Sequence, residues 1–222
     1  RLAFTVAGYY ERRALAGVRY MTAISPYIRD SFAGRTTARW WLTENPAPDD
    51  LFELVRAPVP GRLLLPGSVI PRKDPITLIR AVALAARDLP HLHLHIAGRT
   101  TEPAYLAQVQ SAIREAGAGD RVRFLGVQSQ EQMRLQYREA ELVVLSSREE
   151  VSPMSAIEAL ASGIPVITTR AGEATRAPCS ALVRSPSKPQ WAMRRVQVLN
   201  RWRSGTSTAT TCPTSSPRTP SR

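Results

Sequence analysis

The chain has 222 residues, 43% of them hydrophobic, enough for one good core or one core and a fragment of another. No apolar run approaches the ~18 residues that a membrane span needs, and no signal-peptide pattern opens the sequence. The net charge of +12 is uneven: all 18 acidic residues lie at or before Glu173, where 21 Lys and Arg oppose them, while the last 49 residues carry nine Lys or Arg and no acid. The question a basic total raises, a nucleic-acid or membrane partner, therefore belongs to the tail alone. Cys179 and Cys212 also sit there; two cysteines make neither a disulfide framework nor zinc-site spacing, and a reducing, cytosolic setting is expected.

In chain order, Arg1 in place of Met points to a true start upstream. Residues 10–21 have weak helical character, 21–25 read as a strand and 26–32 as a helix. One strand and two helices cannot bury a core. Residues 1–57 are therefore expected to be the last part of another domain plus a linker, led by Asn45-Pro46-Ala47-Pro48.

From residue 58 short apolar runs alternate with amphipathic stretches. Leu63-Leu64-Leu65 reads as a strand ending at Pro66-Gly67. Asp74 is an N-cap with Pro75 at the first helical position, and Ile76, Ile79, Val82, Ala86 and Leu89 follow at helical spacing. Strand 92–97 ends at Gly98, a helix covers 103–116, and strand 122–125 ends at Gly126. Ser129 and Gln132 form a capping-box pair for a helix to about Ala140. Strands at 142–145 and 166–168 complete the set. Five strands alternating with four helices predict a Rossmann-like, doubly wound α/β domain with a parallel sheet over residues 58–172. Beyond Gly172 prolines interrupt any helix, and the last nineteen residues are mostly Ser, Thr, Pro and Arg, a composition expected to be disordered. The abrupt switch inside a βα unit points to a shifted reading frame over residues 173–222.

Ligands of such sheets bind at the carboxyl ends of the strands. One of those ends opens the run SSREEVSPMSAIEALASGIPVITT, which sets Glu150 and Glu158 eight positions apart across a loop-to-helix junction. Ser152 is the expected N-cap and Pro153 the first helical residue. A helix N-terminus attracts phosphate, while a carboxylate, which only accepts hydrogen bonds, suits a diol. Phosphate beside a diol describes a nucleotide sugar. His91, His93 and His95 alternate along one side of a strand, but a parallel sheet is covered on both faces and no acid or Cys completes a set, so no metal site is expected.

The runs GSVIPRKDPITLIRA and RVRFLG and the E-x7-E element just quoted resemble the donor-binding domain of the retaining family 4 glycosyltransferases, over about residues 22–172. The resemblance implies one half of a GT-B architecture, two Rossmann-like domains facing each other across a cleft, with 1–57 a remnant of the acceptor-side domain. It implies metal-independent transfer of a sugar from a nucleoside-diphosphate-sugar donor, with Glu150 near the reacting centre and Lys73 neutralising the leaving phosphate. Glu158 would hold the ribose hydroxyls. Backbone N–H groups around Met154 and Ser155 would cradle the diphosphate, and Arg99 and Val127 would line loops near the donor and its base. Family members carry Arg directly after the strand-ending Gly; here that place is Ser68, and Arg72 beside Lys73 is the candidate replacement. The acceptor stays open among glycan, lipid and small molecule, and the location is cytoplasmic or peripheral on the inner face of the membrane.

Three other readings compete. A non-catalytic remnant would bind the donor and transfer nothing. A basic nucleic-acid protein would act through the tail, but aromatic residues there are sparse and no recognition motif stands beside them, so no specific nucleic acid is expected. A sugar epimerase of the same architecture would not explain the E-x7-E element.

Overall fold

The computed structural model describes residues 2–43, 45–169, 197–198 and 210–211. The first part holds α1 (Leu2–Ala16), β1 (Tyr20–Ala23), α2 (Pro26–Ser31) and β2 (Arg39–Leu42). The strands β1 and β2 pair in parallel, from Tyr20 opposite Arg39 to Ala23 opposite Leu42. The sequence pattern shows β1 and α2 but not β2, whose run Arg39-Trp40-Trp41-Leu42 has no period-2 alternation. This small sheet buries little: Tyr20, Trp41 and Leu42 are all exposed.

The main body begins earlier than the expected linker boundary. Helix α3 (Asp49–Phe52) buries Leu51, and Ala47, Phe52 and Leu54 pack against the same core. Arg56 then donates to the carbonyls of Ala140 and Gly163, at 2.8 and 2.9 Å. Those bonds clip the incoming chain to the far ends of two later elements.

The body proper runs β3 (Arg62–Pro66), α4 (Pro75–Ala85), β4 (His93–Ala97), α5 (Pro103–Glu115), β5 (Val122–Gly126), α6 (Gln130–Glu139), β6 (Leu142–Leu145), α7 (Met154–Ala161) and β7 (Val166–Thr168). These five strands are parallel, in the spatial order β5-β4-β3-β6-β7. The order makes the domain doubly wound, as the alternation of elements predicts. The connections through α4 and α5 carry the chain one way from β3, and those through α6 and α7 bring it back and past. Right-handed crossovers put the two pairs of helices on opposite faces. The β3 run Leu63, Leu64, Leu65 is buried on both sides accordingly, as is the β4 run Leu94, His95, Ile96, and on β6 Val143 and Leu145 are buried. Two-residue strands β8 (Gln197–Val198) and β9 (Thr210–Thr211) extend the β7 edge, β8 parallel to it and β9 antiparallel to β8. They depart from the expectation of a tail without structure, which otherwise falls, with Gly172 and both cysteines, outside the described residues.

Local chemistry explains the element ends. The side chain of Asp74 accepts from the Thr77 N–H and caps α4, and Ser129 and Gln132 close the expected capping box on α6. Helix α7 stops where Gly163 takes φ 70° and the Ile164 N–H reaches back to the Ala159 carbonyl, 2.9 Å. Of the three histidines, His95 is buried in β4, and burial, then the charge of Arg62, pull its pKa below the usual imidazole value.

Gly98 marks the closest approach between strand ends. A Cβ there would stand 2.0 Å from the Gly67 carbonyl oxygen, a backbone atom that cannot swing aside. Gly98→Ala is expected to destabilise the chain by about 1–3 kcal/mol through overpacking, read as a lower urea midpoint at unchanged slope.

Candidate functional site

At the junction of β3 and β6 the winding of the sheet reverses, which leaves a crevice outside the carboxyl ends of these two strands. The loop after β3 carries Gly67, Ser68 and a short 3-10 turn, Pro71–Lys73; the loop after β6 carries Ser146 to Glu150. The two loops are joined directly. Lys73 Nζ donates to Glu150 Oε1 in a short ion pair, and Ser147 Oγ donates to the same oxygen at 2.6 Å. Arg72 Nη1 lies 3.6 Å from Glu150 Oε2 and 3.0 Å from the Glu149 carbonyl. Glu150 is buried, with 6% of its side chain exposed, whereas Arg72 reaches into solvent. Lys73, Arg72 and Glu150, drawn together from the sequence only through the resemblance, thus meet in space.

Backbone and short polar side chains hold the loops in register. Ser146 Oγ donates to the carbonyls of Lys73 and Asp74, each at 2.9 Å, and the Arg148 N–H donates to the Arg72 carbonyl at 2.8 Å. Asp74 is left-handed, φ 45°, which costs free energy for any residue with a Cβ but least for Asp, Asn and Gly. Its carboxylate is fixed by Thr77 Oγ1 at 2.9 Å and by Arg148 Nε at 3.0 Å. Burial pushes the Asp74 pKa up, but the hydrogen bonds from Arg148 and Thr77 outweigh it, and the carboxyl sits below its ordinary value. The αL turn is what brings Lys73 back under the end of β3.

Helix α7 supplies the second half of the crevice. Its cap is Pro153, extended at φ −72° and ψ 101°, and not Ser152 as the sequence suggested. Ser152 Oγ instead accepts from Asn45 Nδ2 at 3.0 Å, a contact 107 residues distant. The N–H groups of Met154 and Ser155 open the first turn with no carbonyl four residues back inside the helix. Met154 is exposed and Ser155 half-buried. Glu158, one turn on and half-buried, accepts from the Tyr137 hydroxyl at 2.7 Å through Oε2.

The remaining expected residues stand further off. Ser68 is half-buried in the β3 loop, and Arg99 is exposed after β4, its carbonyl receiving the Val69 N–H at 2.9 Å. Val127, 69% exposed, follows β5 at the sheet edge, two strands or about 10 Å from β3. Ser146, Ser147, Arg148 and Tyr137 are the members that sequence reasoning passed over. The doublet Ser146-Ser147 at the end of an apolar strand was the available signal; Tyr137 reads simply as a core position of α6.

The profile of the family described as glycosyl transferases group 1 matches residues 50–178, more than half of the chain. Over 109 residues the chain is 39% identical to a D-inositol 3-phosphate glycosyltransferase of Mycolicibacterium smegmatis, covering 48% of this chain and 24% of that protein. Over 123 residues it is 36% identical to a mannosylfructose-phosphate synthase of Agrobacterium fabrum, covering 53% and 27%. The chain thus spans only about a quarter of the length of these relatives. Among solved structures it is similar to sucrose-phosphate synthase of Thermosynechococcus elongatus (TM-score 0.61, 24% identity, 73% of this chain and 43% of that one). It is also similar to Anabaena Alr3699/HepE in complex with UDP (TM-score 0.61, 21% identity, 71% and 46%). At those identities the likeness establishes the fold, that of one half of a GT-B architecture.

Two predictions follow from the ion pairs. Lys73→Ala leaves Glu150 buried without its nearest cation and is expected to cost about 3 kcal/mol, the low end for a broken buried pair because Arg72 and Ser147 remain. Adding Glu150→Gln should recover part of that loss in a urea titration. Asp74 contributes stability in full above the unfolded carboxyl value of about 3.9 and loses it as pH falls through the depressed folded value. Asp74→Asn should therefore flatten the acid limb of the stability profile below about pH 4, measured by urea midpoints across pH.

Proposed function

The chain belongs to the glycosyl transferases group 1 family, and we propose that its β3–β6 crevice binds a nucleoside-diphosphate sugar and presents it for transfer with retention at the anomeric carbon. One observation carries this reading. Lys73 and Arg72 meet Glu150 on one side, and on the other Glu158 lies just beyond the free N–H groups that open α7. Cations and N–H groups fit a diphosphate, and a half-buried carboxylate one turn away fits the ribose diol.

In this reading the diphosphate lies against Met154 and Ser155, and Glu158 takes the ribose hydroxyls. Glu150, held by Lys73 and Ser147, faces the sugar. The arriving phosphate competes with Glu150 for Lys73 and Arg72, so the pair of the free protein becomes a bridge to the donor. When the bond from the anomeric carbon to the diphosphate oxygen breaks, its electron pair stays on that oxygen, and the acceptor hydroxyl oxygen bonds the carbon on the same face as its proton passes to the leaving phosphate. Lys73 and the fixed N–H groups stabilise the charge, without a metal ion. Arg72 takes the place of the arginine expected at Ser68. Arg99 and Val127 lie along the path to the base, Val127 through its backbone. Two of the structurally similar proteins, HepE and the pneumococcal O-GlcNAc transferase GtfA, hold UDP in their crystals, which supports the donor class.

The acceptor is a glycan, a lipid or a small molecule. A cytoplasmic setting, with peripheral attachment to the inner face of the membrane as its variant, remains part of the proposal. Among the described residues no helix is long and apolar enough to cross a membrane. The competing reading, a chain that binds the donor and transfers nothing, is separated by a direct assay of transfer.

Titration calorimetry with a panel of nucleoside diphosphates tests the site. At least one should bind, and Glu158→Gln and Lys73→Ala should each weaken it by about tenfold or more, the loss of a charge-assisted hydrogen bond. Binding indifferent to both substitutions, or no binding across the panel, would overturn the proposal.

A further inference from the structure

Tyr137 heads the fully buried side chains by size, with 2% of its surface exposed, yet its hydroxyl ends on a half-buried carboxylate at the crevice. It stands in the last turn of α6, 21 residues before Glu158 and on a different helix. A buried phenol needs an acceptor, but a neutral carbonyl would serve as well. Here the bond goes to Oε2 of Glu158. Burial, then the charge of Glu158 and the hydrogen bond to it, push the Tyr137 phenol far above its usual range, which keeps its proton on the oxygen.

A glutamate on a helix swings about three bonds, and its carboxylate plane is otherwise free to turn. Tyr137 removes that freedom from below. It fills one of the roughly four acceptor positions of the carboxylate and leaves the outward ones for a ligand. The core side is rigid, since α6 is capped at both ends: Ser129 and Gln132 close a capping box, and the Ala140 N–H returns to the Gln136 carbonyl. The orientation of Glu158 is thus set by the packed interior and not by the ligand.

We propose that Tyr137 is a positioning residue for the donor: by holding Glu158 Oε2 it aims the carboxylate so that both ribose hydroxyls are accepted together, and so sets the preference for ribonucleotide over deoxynucleotide donors. The proposal rests on the assignment of Glu158 to the ribose made above. It separates two contributions that a contact map merges, the phenyl ring filling the core and the hydroxyl orienting the site. A residue that only fills the core would affect all ligands alike.

The test uses the full chain and Tyr137→Phe, which keeps the ring and removes the one oxygen. UDP and GDP, each with its 2′,3′-dideoxy counterpart, are titrated calorimetrically. The wild type should favour the ribo form by about tenfold or more. Tyr137→Phe should lower that ratio at least threefold while leaving dideoxy affinity unchanged, and should add nothing in a Glu158→Gln background. An unchanged ratio, or equal losses for ribo and dideoxy forms, overturns the proposal and leaves the Glu158 assignment standing. A wild type with no preference overturns that assignment, and the proposal with it. Should Tyr137→Phe fail to fold, 4-fluorophenylalanine at position 137 fills the same space without a donor; a lowered ratio supports the proposal and a wild-type ratio refutes it.

Discussion

The ion pair between Lys73 and Glu150 is the contact on which the geometry of the crevice depends. It spans the one place in the sheet where neighbouring strands, β3 and β6, send their connections in opposite directions. No helix can cover that gap, because the helices that follow the two strands lie on opposite faces. The loops must hold each other instead. Lys73, Ser146 and the Arg148 N–H supply three links between the two segments, while Ser147 braces Glu150 from within its own loop. A buried pair contributes little net stability by itself, since desolvation offsets most of the attraction. What it gives is a single arrangement, with one cation and one carboxylate placed where a ligand bearing both phosphate and hydroxyl groups can use them.

Asp74 shows how the backbone serves the same end. A left-handed residue between a 3-10 turn and α4 reverses the chain within one peptide unit. Its side chain then does two tasks at once, capping α4 through Thr77 and holding Arg148 on the opposing loop. The local strain is absorbed by these bonds, a pattern common where side chains must be aimed.

Much of this was legible in the sequence, for identifiable reasons. The caps at Asp74 and Ser129 are local rules acting over three residues, and the strands of the main sheet are apolar runs between turn residues, so both were found nearly to the residue. The E-x7-E spacing likewise announces its helix junction. What escaped depended on distance. Ser152 is not the cap, and its hydroxyl is engaged by Asn45 from 107 positions away. The short strand β2 exists only because β1 is beside it, and Ala47 and Leu51 join the core through contacts that no window of sequence contains. Nothing in the order of amino acids says that the Tyr137 hydroxyl meets a glutamate on another helix.

The pairing of β3 with β6 has a consequence in time. Leu63 lies opposite Leu142, so the central strand of the sheet must wait for a partner 79 residues further along the chain. Translation at 5–20 residues per second makes that interval roughly 4–16 s on the ribosome. During it β3 can pair with β4, but its other edge stays open beside an apolar strand, a template for any passing strand. The centre of the fold therefore stays open while the β4 and β5 side is already made, and the segment exposed for that interval is one that ends deeply buried.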